Sequence, residues 1–571
     1  MLNKPIYHAI KILCILITGI IFLAGCNESN HKHTPQTQNL PDVNANNIKA
    51  HLSFLASDDL EGRDVGSVGH NIASNYVASE FQQLGLTPAG DNDTYFQNVP
   101  LRKAYLTPKG AELIVHQAGG DVRVNYPKQF LAAGSGVADN LAVSAEAVFV
   151  GYGMVSERFG INDYDGLDVD GKIVVALAGR PKALPSEEGA HLQSGYEKKK
   201  HAVARGAVGF ISIHTPKREK VRSYASRLLY LGTPSVTWLN DNKPHGTFEQ
   251  LKGSAYINTE AAKHLFSQAE KPLTEVFEAE HQDKAIKGFP LNTKITLKRR
   301  SYHKDITSPN VAAVLEGSDP ILKNEYVVFS AHSDHIGLAK DITTPDRINN
   351  GALDNASGVA ILLETARLLS QLEQKPKRSI LFVVVTGEEK GLLGSSYYAN
   401  NPTVPIDAMV ANVNLDMPLI LFPFADVIAF GANHSTMGPS VERAANKLGL
   451  ALSPDPMPEQ ALFTRSDHYN FVKKGIPSVF LMTGMKSKDP SIEGGKVWGD
   501  FLKTHYHKPS DQLDLPISYE AAADFAKVNM MIGLEVANAK QRPTWVEGDF
   551  FGEIFTQTDK SGKRSGIKTA K

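Results

Sequence analysis

The 571-residue chain reads as an α/β protein, a mixed and mostly parallel sheet flanked by helices, with a β-rich insertion. Two observations predict this. Four near-continuous apolar runs, 326–331, 379–385, 408–413 and 478–482, alternate with segments of helical period. Runs of that kind are strands covered on both faces, as parallel strands are. Between about 110 and 180 the texture changes to short β-type runs, such as 147–150 and 172–177, broken by Gly and Asp. Length agrees, because 571 residues exceed a single ordinary core. A hydrophobic content of 42% with 21% charged residues is that of a globular chain.

Lys4 and Lys11 precede the apolar stretch 12–25, which is short for a bilayer span and right for a signal h-region. It ends Leu23-Ala24-Gly25-Cys26. Residues 1–25 are therefore expected to be a lipoprotein signal, with cleavage before Cys26 and lipid on its sulfur. Acyl chains there would hold the protein at a membrane surface in the cell envelope. Asn27 leans the choice toward the outer membrane. Residues 26–47, rich in Asn, Gln, His, Thr and Pro, read as a flexible tether. Cys14 and Cys26 are the only cysteines, so the folded body has no disulfide, thiolate ligand or cysteine nucleophile.

A helix is expected over 70–84, with Ile72, Tyr76, Val77, Phe81 and Leu84 at helical spacing and Gly85 as its stop. Residues 48–132 are assigned to the first part of the main domain and 133–285 to the insertion. Within the insertion, 198–206 reads as helix, 208–213 as strand and 216–227 as a basic surface loop. The main domain resumes over 286–540, where the helix 356–372 carries Val359, Leu362, Leu363, Ala366 and Leu369 on one face. Residues 541–571 read as a poorly ordered basic tail. With 60 basic and 61 acidic residues, nothing favours a nucleic-acid partner. Oligomeric state is not legible.

Five segments, far apart in the chain, each place a metal-type side chain where an apolar run ends. They carry His332 with Asp334, Asp354, the pair Glu388-Glu389, Asp416, and His507. In open sheets ligands bind beyond the carboxyl ends of the strands, and His332, Glu388-Glu389 and Asp416 lie within a few residues of such ends. Residues i and i+2 of an extended segment face the same way, so His332 can hold a metal while Asp334 holds its other ring nitrogen. Each segment alone has a plainer reading. His332 could be a loop histidine, Asp354 a helix cap, Glu388-Glu389 a solvated turn, and His505 competes with His507 on spacing. Together, two histidines, two aspartates and a glutamate make a ligand set for two adjacent divalent ions, and Glu388 is left over as a base. That arrangement is one for metal-assisted hydrolysis.

At this point the chain resembles peptidase family M28, the aminopeptidase Y-like co-catalytic zinc peptidases. The resemblance covers about 50–100 and 308–540. It rests on Ser57-Asp-Asp-Leu-Glu-Gly-Arg63, Leu84-Gly-Leu-Thr-Pro88, His332-Ser-Asp334, Asn350-Gly-Ala-Leu-Asp-Asn-Ala-Ser-Gly358, Thr386-Gly-Glu-Glu389, Asn414-Leu-Asp416, Ser466-Asp-His468 and Tyr506-His-Lys-Pro-Ser-Asp511. It implies a zinc-peptidase/phosphorylase-like fold and two Zn2+ ions, although other divalent ions suit the same donors. It makes Asp354 the bridging ligand, with His332 and Asp416 on one ion, Glu389 and His507 on the other, and Glu388 as general base. Leu353 stands where members often carry an acid. The resemblance further implies a cis peptide at Asp354-Asn355, and a cleft wall at Arg465, Ser466, Asp467 and His468 that positions substrate. The insertion resembles a protease-associated (PA) domain through Val148-Phe-Val-Gly-Tyr-Gly153, the Asn162–Val175 stretch and Ala202-Val-Ala-Arg-Gly-Ala-Val-Gly-Phe210. That implies a lid or substrate-selecting module without catalytic residues. The expected activity is removal of N-terminal residues from peptides. A carboxypeptidase or dipeptidase on the same ions is the alternative, with Arg465 as the cation for a terminal carboxylate. A binding protein on an inactive scaffold is more distant, since every ligand and the base are present.

Overall fold

The computed structural model describes residues 40–556 apart from 341 and 344. The expected signal, Cys26 and most of the tether lie outside the described residues. The elements that matter here are α1 (Ala45–Leu55), α2 (Val68–Gln83), β1 (Phe96–Gln117), β2 (Asn140–Phe149), β3 (Phe289–Leu315), β4 (Tyr326–His332), α3 (Ser357–Ser370), β5 (Ser379–Val385), β6 (Met409–Leu415), β7 (Asp426–Phe430), β8 (Ser478–Thr483) and α4 (Tyr519–Asn538).

The main sheet runs β3–β5–β4–β6–β8–β7. Its four central strands are parallel, and β3 and β7 flank them antiparallel. This is the expected mixed, mostly parallel sheet, and the four apolar runs are its central strands. Both faces are covered. On one, Val328, Leu381, Val383 and Val385 pack with Tyr398 and Phe471. On the other, Phe329 stacks on Phe382 at 5.7 Å, and Phe382 lies 5.9 Å from Phe81 of α2. Gly533 lets α4 settle onto this face, because a Cβ there would stand 2.5 Å from the Phe329 ring. α3, buried over nearly its whole length, packs against α1, α4 and the sheet.

Several expectations change. β1 and β3 are long paired strands of 22 and 27 residues, not read from the sequence. They pair antiparallel from Lys294↔His116 to Val311↔Phe96. The first half of β3 also pairs with β2 and its end with β5, so one strand runs from the 133–285 segment into the main sheet. That segment carries parallel strands at Ile173–Leu177, Gly209–Ile213 and Gly253–Ile257, together with helices such as Gly195–Val203 and Leu273–His281. The basic loop expected over 216–227 forms two short helices, Pro216–Val221 and Tyr224–Arg227. The buried face of α2 matches the expected one only in part, with Val77 and Phe81 inward as read. Gly69, His70, Ala73, Ser74, Val77 and Phe81 face inward, while Ile72 is 40% exposed. The reason is closeness of packing, since a Cβ on Gly69 would overlap the Leu60 carbonyl. At the end of the expected tether, Asn44 caps α1, and its N–H and the Asn47 amide donate to Glu364 at 2.7 and 3.2 Å. In the expected tail, Phe550–Phe555 is a helix whose first residues are buried.

Candidate metal centre

β5, β4 and β6 are neighbours in that order, and the chain leaves β4 for β5 on one side before reaching β6 on the other. The strand order therefore reverses at β4, which opens a crevice at the carboxyl ends. Those ends deliver His332, Glu388-Glu389 and Asp416 to one place. Asp354 and His507 arrive on loops. His332 Nε2 lies 3.1 Å from Asp416 Oδ1 and 3.5 Å from Asp354 Oδ1. His507 Nε2 lies 3.1 Å from Asp354 Oδ2 and 3.1 Å from Glu389 Oε2. The two oxygens of Asp354 thus face two separate groups, the placement a bridging carboxylate needs. Glu388 Oε2 stands 3.8 Å from His332 Nε2, beside the first group.

The second group contains a histidine that the sequence reading missed. His335 Nδ1 is 2.7 Å from Glu389 Oε1 and 4.0 Å from Asp354 Oδ2. Its only signal was its place directly after Asp334. His335 Nδ1, His507 Nε2 and Glu389 Oε1 are buried and sit within bonding distance of partners, yet none is aligned with a hydrogen-bond partner. Atoms so arranged converge on a shared point rather than on each other. Buried carboxylates crowded in this way are costly unless cations balance them. Two donor sets fit divalent ions: His332, Asp354 and Asp416, and Asp354, Glu389 and His335, the latter beside His507.

Adjacent glutamates diverge in electrostatics. Burial, reinforced by Asp416 and Glu389, pushes Glu388 well above the usual carboxylate range although His332 opposes it. Burial would raise Glu389 too, but His507 and His335 hold it well below. The pair is thus pulled apart, Glu388 toward its protonated form and Glu389 toward its ionised form.

The supports come from distant segments. Asp334 faces Nδ1 of His332 as expected, with its carboxylate 3.8 Å away and its carbonyl making the closer contact. Its carboxylate accepts the backbone N–H of Glu388 at 3.0 Å and of Glu389 at 3.3 Å, while His332 Nδ1 meets the Asp334 carbonyl at 3.1 Å. Arg63, fully buried, donates to the carbonyls of Ser333 (2.9 Å), Asn350 (2.6 Å), Gly351 (3.1 Å) and Leu55. It ties the His332 loop to the Asp354 loop. Asp511 accepts the N–H of Leu353 at 2.9 Å and of Asp354 at 3.1 Å. Gly351 has φ +59°, and a Cβ there would stand 2.6 Å from the His335 ring. The Asp354-Asn355 peptide is cis.

His505 is turned away onto Ser510, at 3.0 Å from its hydroxyl, so the two-histidine ambiguity falls to His507. The expected substrate wall divides. Arg465 is exposed, and its Nη2 donates to the Tyr506 hydroxyl at 3.1 Å. Ser466, Asp467 and His468 are fully buried. Ser466 donates to Asp416 Oδ2 at 2.5 Å and so orients that carboxylate. His468 opens a helix packed beneath the sheet, between the rings of Phe463 and Phe480 at 5.1 and 5.3 Å. Burial drives its ring down to about 3, as for a core histidine.

Residues 310–532 match the model of Peptidase family M28. Aminopeptidase YwaD of Bacillus subtilis (strain 168) is 28% identical over 226 residues, which are 38% of this chain and 42% of that protein. Aminopeptidase Y of Saccharomyces cerevisiae is 27% identical over 241 residues, 40% of each chain. The match to the probable leucine aminopeptidase 2 of Aspergillus fumigatus is 27% over 218 residues. The chain spans about two fifths of the length of these curated relatives, 40 to 42%. The solved aminopeptidase from Aneurinibacillus sp. strain AM-1 shares the fold, with a TM-score of 0.50 and 21% identity over 86% of this chain and 93% of that one.

Proposed function

We propose, with residues 310–532 forming a domain of peptidase family M28 as premise, that the protein is a dinuclear metallopeptidase removing N-terminal residues from peptides. One observation carries this reading: the two oxygens of Asp354 face two groups of buried nitrogen and oxygen donors, with Glu388 alongside. His332, Asp354 and Asp416 would hold one ion, and Asp354, Glu389 and His507 the other, with His335 next to them. Bound there, two divalent ions supply Lewis acidity at a scissile carbonyl and acidify water. Glu388, placed beside the first group, would take a proton from that water and pass it to the leaving amine nitrogen. Asp334 holds the Glu388 backbone in register for this transfer. Ser466 and Asp511 restrain Asp416 and the Asp354 loop. The aminopeptidase names of the matched relatives support the choice of peptide N-termini.

Glu388→Gln tests the reading. The variant is expected to retain both ions by elemental analysis while kcat on an aminoacyl chromogenic peptide falls by about 100- to 10,000-fold. Wild-type turnover by that variant, or hydrolysis that survives exhaustive chelation, would end the proposal. Arg465 favours a second reading. Its guanidinium makes no close ion pair among the described residues, feels Glu388 and Asp354 at longer range, and suits a terminal carboxylate, as in a carboxypeptidase or dipeptidase. Cleavage of N-blocked peptides in preference to free aminoacyl substrates would select it. The signal-like segment 1–25 and Cys26 support an envelope lipoprotein, with the outer membrane favoured. Loss of palmitate labelling on Cys26→Ser is the expected result.

A further inference from the structure

We propose that the 133–285 segment completes the metal centre: Tyr230 is a positioning residue that fixes the ring of His507 and so sets the second ion-holding group. This rests on the dinuclear reading above. The Tyr230 hydroxyl lies 2.5 Å from His507 Nδ1, across 277 positions of chain. The rings meet edge to face, with centroids 5.9 Å apart at 79°. Tyr506 stacks on the imidazole at 3.8 Å. Together these contacts remove the ring's freedom to tilt or flip.

His507 needs such help. It sits in a loop beyond the helix Gly494–Thr504, with φ +57°, and no regular element aims its side chain. Its Nε2 faces Asp354 and Glu389. An imidazole that gives its Nε2 lone pair to an ion carries its proton on Nδ1, and that proton needs an acceptor. The phenol oxygen of Tyr230 is that acceptor. Arg222 also donates to this oxygen, at 3.3 Å from Nη2, and its guanidinium lies over the Tyr230 ring. Thr233 holds the turn from the other side, bonding the Tyr230 carbonyl through its hydroxyl at 2.7 Å.

The contrast with the first group is what makes the inference specific. His332 bonds the carbonyl of Asp334, two residues away on its own loop. The first group therefore carries its own restraint, whereas the second borrows one from the inserted segment. Loss of the Tyr230 hydroxyl should then act on one ion and spare the other. A general loss of packing would not discriminate in this way.

The test is Tyr230→Phe in the mature chain, stripped of metal and titrated with Zn2+ against a competing chromogenic chelator. Wild type is expected to take two ions. The variant is expected to bind the first with unchanged affinity and the second about 10- to 100-fold more weakly. The metal-free melting temperature should not move, and Arg222→Gln should give a smaller loss of the same kind. Two ions bound by Tyr230→Phe with wild-type affinity would overturn the inference and leave the dinuclear reading intact. Equal weakening of both ions, or a lowered metal-free melting temperature, would reduce Tyr230 to a structural contact and overturn it too. A wild type that takes fewer than two ions would sink both.

Discussion

Glu388 and Glu389 are neighbours in sequence and opposites in chemistry, and the difference lies in what each meets. Glu389 faces His335 and His507, and Glu388 faces the carboxylate side of the centre. Asp334 sits behind both, accepting their backbone N–H groups. Asp334→Asn replaces one acceptor oxygen with a donor that opposes an N–H. The expected outcome is a fall in kcat of about 10- to 100-fold with both ions retained, read from kinetics and elemental analysis on the same sample. Asp511→Ala acts differently, because it strands the buried N–H groups of Leu353 and Asp354. Each stranded group costs about 1–3 kcal/mol, so the urea midpoint should drop and zinc content with it. His332, Glu388, Glu389 and Asp416 were legible because each follows an apolar strand, and Asp354 and His507 because of the motifs around them. His335, Arg63 and Asp511 were not. Their work is done through contacts with segments far away in sequence, and nothing local marks a guanidinium that will meet backbone carbonyls 270 or more positions distant.

At the scale of elements, strands buried on both faces announce themselves and half-exposed ones do not. β4, β5, β6 and β8 were readable as apolar runs. β1 and β3 alternate buried and exposed positions, include Pro100, Pro108 and Pro309, and carry lysines and arginines on their open side, so their pairing is invisible without the partner. α2 was read only in part. Val77 and Phe81 face inward as expected, but close approach adds Gly69, Ala73 and Ser74 to that face and leaves Ile72 outside it. The same physics makes α4 testable. A methyl at position 533 meets the Phe329 ring, which is itself stacked on Phe382, so the helix or the stack must shift. Gly533→Ala is expected to lose about 1–3 kcal/mol in urea denaturation, through overpacking. Zinc stoichiometry, measured on the same samples, is expected to be unchanged. A variant as stable as wild type would show that α4 can lift away without cost.

Across the whole molecule, one imidazole joins three stretches of chain that no local pattern connects. His434 Nε2 lies 2.6 Å from Glu187 of the 133–285 segment, and its Nδ1 lies 2.5 Å from Asp549 of the final helix's cap. Burial alone would lower this ring, but the bonds to Asp549 and Glu187 outweigh it and raise the ring to about 10. The sign of the pH effect follows. A histidine whose folded value lies above its unfolded value of about 6.5 contributes its full stabilisation below 6.5 and loses it as pH climbs toward 10. The melting temperature of wild type should therefore decline across that window. His434→Gln cannot carry the charge, and removing one partner of a buried ionic cluster costs up to about 3–5 kcal/mol. The gap between wild type and His434→Gln should be wide at pH 6 and narrow steadily toward pH 10. Measured melting curves that run parallel over the whole range would mean the tie is held by shape alone. A convergent pair would identify it as a charged clasp between the 133–285 segment, the main sheet and the last described helix. The tether between Tyr230 and the metal centre would then rest on a second, independent fastening of the same segment.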